Sequence, residues 1–356
     1  MEMKGSVEAV IKDFNISITT GYAGYLASDI LYSAPNYVSA VNETVAVDFA
    51  HIHSYLGKRS LVVMKNAGLN ESLLPIINSC ILGTNAGMVL WIIDDLLAEA
   101  SEIAQDSSKL IKTIGIKPLR PKNWKQLYQY TRKAYEMSET RKIPQIIIIN
   151  NNLFSSPIEH VANPLKDTNF PSKKMSVLHP NISKGYIDTY NKRRQTMTSM
   201  FPKIKEKTAF TGKLNTTIYS DLFKSIPKDE FDIVIGDFGT YTLAEGSIIQ
   251  YGLHYGSAMA CGIGAEIAGK KPLVFVGEGG LTSGFESVIE LVRKKTNIKI
   301  ILIENGGISK QEDVGFDICE MLENLKIPVE KVLSTEVSKL PELLKRGGLL
   351  VVSVRY

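Results

Sequence analysis

The chain has 356 residues, 44% of them hydrophobic and 22% charged, an ordinary globular composition with room for two or three packed domains. Its 41 basic and 37 acidic residues leave a net charge of +4, too even a balance to argue for nucleic acid. From three well-separated cysteines, Cys80, Cys261 and Cys319, no disulfide framework, zinc site or iron–sulfur cluster can be read, and no apolar run reaches the ~18 residues that a membrane span needs. The first residues, MEMKGSVEAV, carry acidic groups and no apolar core, so no secretory signal is expected and the expected location is the cytoplasm.

From residue 15 to 150, short apolar runs alternate with helical patterns. Strands are expected at Ile16–Thr19, Tyr37–Val41, Ser60–Met64, Met88–Ile93 and Gln145–Ile149. Helices are expected at Glu43–Leu56, Leu69–Leu82, Ser107–Thr113 and Trp124–Ser138. Near-continuous apolar strands separated by helices imply a parallel sheet covered on both faces. The next stretch is broken by Pro157, Pro164, Pro171, Pro180, Pro202 and Pro227, with basic clusters at Lys173-Lys174, Lys192-Arg193-Arg194 and Lys203 to Lys207. A linker with one helix near Tyr186–Met200 is the expectation, its charges forming a solvated face.

The βα alternation then resumes. A strand is expected at Asp232–Ile235, a helix rich in Gly and Ala at Tyr255–Ala268, strands at Pro272–Val276 and Ile298–Ile303, one helix between them over Leu281–Lys295, and a last strand at Leu349–Val354. The fold class is therefore α/β, two doubly wound parallel-sheet domains: residues 1–155, a linker over 156–228, and residues 229–356.

Chemistry-bearing residues cluster where strands end. Gly277-Glu278-Gly279-Gly280 follows one apolar strand, and Asn305-Gly306-Gly307 follows the next. That puts a carboxylate and a carboxamide at the carboxyl ends of two parallel strands, where α/β sheets bind ligands. Oxygen ligands beside glycines that admit close backbone approach suit Mg²⁺ and a diphosphate. Glu278, Asn305 and the Gly307 carbonyl are the metal-ligand candidates, and Gly277, Gly279 and Gly280 the candidate cradle. Such glycine-rich segments also serve simply as strand-ending turns. The same layout is that of the thiamine diphosphate motif Gly-Asp-Gly…Asn, with Glu in place of Asp.

Gly236-Asp237-Phe238-Gly239-Thr240-Tyr241-Thr242 ends another strand. It reads equally as a diphosphate-contacting loop, through Gly239, Thr240 and Tyr241, or as a tight turn with Asp237 as a cap. His254 and Ser257 open the following helix, where packing is the commoner role. In the first domain Asn42-Glu43 opens a helix directly after a strand. Glu43 either complements the helix dipole or protonates an aminopyrimidine ring nitrogen, the step that makes a thiamine cofactor self-activating. Met64-Lys65-Asn66-Ala67-Gly68-Leu69-Asn70 is a further strand-end loop, lining a pocket or merely solvated, and Gln105-Asp106-Ser107 has the form of a helix start.

Taken in order, these segments resemble the indolepyruvate ferredoxin oxidoreductase alpha subunit, in the 2-oxoacid ferredoxin oxidoreductase group of thiamine diphosphate enzymes. The family's Gly-Tyr-Pro-Gly-Thr-Pro-Ser-Ser-Glu-Ile corresponds to Gly21-Tyr22-Ala23-Gly24-Tyr25-Leu26-Ala27-Ser28-Asp29-Ile30, and its Val-Asn-Glu to Val41-Asn42-Glu43. Its Met-Lys-His-Val-Gly-Leu-Asn corresponds to Met64 to Asn70 with Asn66 for His, its Gln-Asp-Ser to residues 105–107, and its Gly-Asp-Ile-Gly-Cys-Tyr-Thr-Leu to Gly236 to Leu243 with Thr240 for Cys. The resemblance implies thiamine diphosphate and Mg²⁺ as cofactors, Glu43 as the activating residue, and a substrate pocket lined by Tyr25, Lys65, Asn66 and Asn70. It implies decarboxylation of a 2-oxo acid, a homodimer, and a second beta-type subunit with ferredoxin as further partners. The family's Cys-rich cluster motifs do not occur up to Tyr356, so no iron–sulfur cluster is expected in this chain and oxidation would need a partner or an external acceptor. Tyr25 for Thr and Glu278 for Asp are the main departures. Two other readings stand beside this one: a non-oxidative decarboxylase of the sulfopyruvate or phosphonopyruvate type, and a non-catalytic paralogue acting as scaffold or regulatory subunit.

Overall fold

Five parallel strands form a first sheet: β1 (Ile16–Gly21), β2 (Tyr37–Ser39), β3 (Arg59–Lys65), β4 (Met88–Asp94) and β5 (Gln145–Asn150), in the order β2-β1-β3-β4-β5. Six parallel strands form a second: β6 (Ile233–Gly236), β7 (Ile249–Gln250), β8 (Pro272–Gly277), β9 (Lys299–Glu304), β10 (Val329–Leu333) and β11 (Leu350–Arg355), in the order β10-β11-β9-β8-β6-β7. Each sheet belongs to its own compact unit. The structure is a computed structural model and describes residues 3–24, 27–99, 104–150, 153, 163–166, 220–237, 249–250, 253–307 and 314–356. The expected α/β class is thus observed, twice over. The expected linker helix near 186–200 lies outside the described residues.

The first sheet is covered by α1 (Met3–Asp13), α2 (Ala27–Ser33), α3 (Glu43–Tyr55), α4 (Asn66–Glu71), α5 (Leu73–Leu82), α6 (Ser107–Thr113) and α7 (Trp124–Arg141). All seven residues of β4 are buried, as its unbroken apolar sequence requires. Asn42 caps α3, its Oδ1 accepting from Val45 N at 2.9 Å, and Asn123 caps α7 the same way from Gln126 N. One core cluster runs from Phe14 through Trp91 to Tyr135, and the Trp91 indole N–H donates to Thr131 Oγ1 at 3.1 Å. Against that core lies a buried ion pair. Arg59 donates twice to Glu139, at 2.6 and 3.1 Å, and once to the Phe14 carbonyl.

The second unit contains α8 (Ser220–Lys224), α9 (Ser257–Ile267), α10 (Glu278–Ser283), α11 (Phe285–Lys294), α12 (Ile318–Asn324) and α13 (Leu340–Lys345). Its core joins Phe275 and Ile301 to Leu340, Val352 and Val354.

Two helices expected to be continuous are each broken. The helix expected over Leu69–Leu82 begins at Asn66 and is interrupted at Ser72. Pro75 has no N–H to give to the carbonyl of Glu71, which instead accepts from Thr44 Oγ1 at 3.4 Å. The helix expected over Leu281–Lys295 is split at Gly284, where the chain meets Gly256 backbone to backbone. Helices α1, α2 and α8 and strands β7 and β10 are additions to the expected set, and two helices, α12 and α13, lie between β9 and β11. β10 is an edge strand in which only Val332 is buried, so it carries little apolar pattern to read. Among the described residues no helix is long and apolar enough to cross a membrane.

The strand order reverses direction once in the first sheet, between β1 and β3, and in the second between β6 and β8 and again at the edge strand β10. Crevices at the carboxyl ends of strands beside such reversals are where doubly wound sheets hold ligands. The segments found there are residues 22–24 and the start of α4 in one unit, and Asp237, the start of α10 and the segment after Glu304 in the other.

Candidate active site

In the first unit the ends of β1, β2 and β3 bring three of the predicted segments together. The Gly21 carbonyl accepts from Ala40 N at 3.2 Å, tying the end of β1 to the segment that leads into Asn42-Glu43. The Lys65 side chain lies over Gly24, its Cδ 3.4 Å from where a β-carbon would stand there. Glu43 is the first residue of α3 and only partly exposed. Its carboxyl rests on α4 at Gly68, where a β-carbon would lie 2.4 Å from Glu43 Oε1. The carboxyl of Glu71, one helical turn beyond Gly68, is close enough to act on its ionisation. Burial, first, and then Glu71 push the Glu43 pKa above the ordinary glutamate range. Its own backbone N–H and Lys65 pull the other way and are outweighed.

The remaining first-unit candidates have other partners. Asn66 opens α4 and is buried, its Oδ1 accepting from Ala67 N at 3.0 Å. Asn70 and Gln105 exchange amide hydrogen bonds of 2.8 and 3.0 Å, which joins the Met-Lys-Asn loop to the Gln-Asp-Ser segment. Asp106 caps α6 and pairs with Arg120 at 2.7 Å. Buried Asp94 accepts from Ser107 N and lies 3.8 Å from the same Arg120. Tyr25 lies outside the described residues.

In the second unit β8 ends at Gly277 and Glu278 begins α10. Glu278 Oε2 accepts both the Asn305 N–H and the Gly307 N–H, each at 2.8 Å. The other carboxylate oxygen takes neither. The loop after β9 is therefore folded around the Glu278 carboxylate, and Asn305 and Gly307 are held next to it. A β-carbon added to Gly277 would meet nothing within 4 Å, so open space borders the loop on that side. Gly280 faces the residue that follows β6: a β-carbon there would lie 2.3 Å from Asp237 Oδ2. Asp237 is fully buried, and its Oδ2 accepts from Gly256 N at 2.6 Å. It thus serves the residue that caps α9 rather than its own following turn, a long-range version of the expected capping role. His254 is buried and its Nδ1 is 2.8 Å from the Tyr255 carbonyl, a packing role. Gly239, Thr240 and Tyr241 lie outside the described residues.

Glu304, directly before Asn305, anchors the base of the loop. Its Oε1 accepts from Cys319 Sγ at 3.2 Å and from Ser353 Oγ, and its Oε2 accepts from Arg355 at 2.7 and 3.1 Å. Burial alone would raise its pKa, but the donors from Ser353, Arg355 and Cys319 together lower it. The Cys319 thiol, buried beside this carboxylate, is pushed up to about 11. Neither Glu71 nor this anchor was among the residues singled out from the sequence. Glu71 had a faint signal, since it shares a helix face with Gly68 at a spacing of three. The Glu304 network joins three distant segments and had none.

Comparison with known proteins bears on the fold and the family. Residues 238–346 match the thiamine pyrophosphate enzyme C-terminal TPP binding domain. Indolepyruvate oxidoreductase subunit IorA of Pyrococcus abyssi is 28% identical over 150 residues, covering 40% of this chain and 23% of that protein. The subunit of the same name from Methanothermobacter marburgensis is 31% identical over 108 residues, 30% of this chain and 18% of that protein. The matched stretch thus spans less than a quarter of the length of these curated relatives. Benzoylformate decarboxylase from Polynucleobacter necessarius superposes with a TM-score of 0.68 at 13% identity, over 100% of this chain and 98% of that one. At that identity the superposition speaks for the fold alone. The resemblance read from the sequence is borne out: residues 238–346 match a thiamine pyrophosphate-binding domain, and the curated relatives are indolepyruvate oxidoreductase subunits at modest identity.

Proposed function

We propose that this chain is a thiamine diphosphate- and Mg²⁺-dependent enzyme that decarboxylates a 2-oxo acid, in the manner of an indolepyruvate oxidoreductase alpha subunit. The observation that carries this reading is the Glu278 carboxylate, whose Oε2 gathers the Asn305 and Gly307 N–H groups. A carboxylate, a carboxamide and a backbone carbonyl are hard oxygen donors suited to Mg²⁺. Among the described residues no cluster of three His, Cys, Asp or Glu forms, so this mixed set is the one that fits a divalent cation. Glu278, Asn305 and the Gly307 carbonyl would hold the metal. Backbone N–H groups around Gly279 and Gly280, with Gly277 leaving room, would hold the diphosphate, joined by Gly239, Thr240 and Tyr241.

Bound thiamine diphosphate supplies a nucleophilic carbon and an electron sink for decarboxylation. Glu43 holds a proton for the aminopyrimidine ring, as its raised pKa favours. Lys65, with Asn66, Asn70 and Tyr25, is assigned to the substrate side, where an ammonium suits a 2-oxo acid carboxylate. Residues 1–155 act as the pyrimidine-side domain, 156–228 as linker and 229–356 as the diphosphate-side domain. The alpha-subunit likeness supports a beta-type partner and ferredoxin as electron acceptor. An apolar stripe on α11, Phe285, Ile289 and Val292, each at least 36% exposed, supports a homodimer.

Calorimetric titration with thiamine diphosphate, with and without Mg²⁺, tests the proposal. Metal-dependent binding that is lost in Glu278→Ala and weakened in Asn305→Ala is expected, followed by turnover in a screen of 2-oxo acids. Absence of binding with Mg²⁺ present would overturn it.

A further inference from the structure

The segment after β9 carries few side chains that could hold it in place. Gly306 and Gly307 follow Asn305, both with left-handed backbone, φ +95 and +93, and a β-carbon on Gly306 would meet nothing within 4 Å. Gly306 therefore adds no packing to the turn. On one side Asn305 is fixed by Glu278 Oε2, which accepts its N–H and that of Gly307 at 2.8 Å each. On the other side stands Glu304, the last residue of β9.

Glu304 is bound through main chain and side chain alike. It lies opposite Arg355 in the β9–β11 pairing, and its carbonyl accepts from Tyr356 N at 3.0 Å. Its carboxylate, 13% exposed, is taken at both oxygens. Oε1 accepts from Cys319 Sγ at 3.2 Å and from Ser353 Oγ, and Oε2 accepts the Arg355 guanidinium at 2.7 and 3.1 Å. Donors from both α12 and β11 thus hold this carboxylate in one orientation. A planar, rigid peptide joins Glu304 to Asn305, so a shift of the first moves the second.

We propose that Glu304 is a positioning residue for the cation site: held by Arg355, Ser353 and Cys319, it fixes where the chain leaves β9 and hence where Asn305 and the Gly307 carbonyl stand. Outer partners of this kind orient metal ligands, and losing one commonly lowers metal affinity by about 10–100-fold. The role toward a cation rests on the proposed function, whereas the role toward the loop is a property of the chain alone. Arg355 separates positioning from simple electrostatics. Acting only through its field, this cation would repel Mg²⁺, and its removal would tighten binding. As part of the anchor, its removal weakens binding.

The test has two arms. Proton–nitrogen NMR of the deuterated, ligand-free protein reads the loop through the Asn305 and Gly307 backbone amides. Calorimetric titration with Mg²⁺ in the presence of thiamine diphosphate reads the site. Arg355 is 60% exposed, so Arg355→Ala removes its two hydrogen bonds without opening the core. In that variant both amides are expected to shift, and Mg²⁺ to bind on the order of tenfold more weakly, with the thermal midpoint of the metal-free protein near the parent's. Arg355→Lys keeps a cation at Glu304 and is expected to recover most of the affinity. Glu304→Gln turns one oxygen acceptor into a donor facing donors, and is expected to shift the same amides and weaken Mg²⁺ binding likewise. Amides unmoved in both Arg355→Ala and Glu304→Gln would overturn the positioning of the loop. Moved amides with unchanged or tighter Mg²⁺ binding in Arg355→Ala would overturn the role toward the cation. A parent that binds no Mg²⁺ with thiamine diphosphate would overturn the functional reading and that role with it, while the amide shifts would still decide whether Glu304 sets the loop.

Discussion

The closest constraint on the Glu43 carboxyl is the missing side chain of Gly68, which leaves Oε1 just 2.4 Å from the place a β-carbon would occupy. Gly68→Ala should push the flexible end of Glu43 aside and leave the backbone in place. Turnover is expected to fall on the order of a hundredfold, as for other ångström-scale displacements of an acid, with little change in thermal midpoint. Parallel activity and melting measurements check this.

Under the proposed function Glu278 would do two jobs that substitution can pull apart. Glu278→Ala strands the N–H groups of Asn305 and Gly307 and should cost about 1–3 kcal/mol in urea unfolding. Glu278→Gln keeps an oxygen to accept from them but removes the charge. It should unfold nearly as the parent does while losing metal-dependent cofactor binding.

The raised pKa of Glu43 has a consequence for stability with a definite sign. Between the ordinary glutamate range and its raised folded value, the folded state binds more protons than the unfolded one, so stability falls as pH rises through that window. Above that raised value the costly charge is present. Glu43→Gln should therefore be more stable than the parent there, and the advantage should vanish below the ordinary glutamate range. Urea midpoints measured from pH 4 to pH 8 report it.

Gly256 and Gly269 share a left-handed backbone, φ +84 and +83, but differ in surroundings. A β-carbon on Gly256 would meet Gly284 Cα at 2.4 Å, whereas one on Gly269 would meet nothing within 4 Å. Gly269→Ala should cost about 1 kcal/mol from backbone strain alone. Gly256→Ala should cost at least about 2 kcal/mol more, because backbone cannot swing aside as a side chain does.

The Arg59–Glu139 pair predicts a larger effect. Glu139→Ala leaves a guanidinium that is 4% exposed without its carboxylate, a change worth about 3–5 kcal/mol in chemical denaturation.

The fold class was legible because β3, β4, β5, β8 and β9 are apolar along most of their length and alternate with helical spacing. β10 was not, since an edge strand with one buried residue has no pattern to show. The breaks at Ser72 and Gly284 arise from tertiary causes, a carbonyl diverted to Thr44 and a backbone contact with Gly256, which local propensity does not encode. For the site, Glu278, Asn305 and Gly307 were legible as strand-end residues, and the structure adds their mutual hydrogen bonds. Glu71, Glu304 and the capping of Gly256 by Asp237 depend on contacts between segments far apart in the chain, except that Glu71 lies one turn from a glycine already noted.

All three cysteines are buried, and that of Cys319 is also held by Glu304 in its protonated, unreactive state. Maleimides and iodoacetamides attack thiolates, so the folded protein should resist them without any native cysteine being replaced. A single cysteine introduced at an exposed position such as Tyr32 would then be the dominant labelling site, and fluorophores or spin labels could be attached to the chain with its natural sequence otherwise intact.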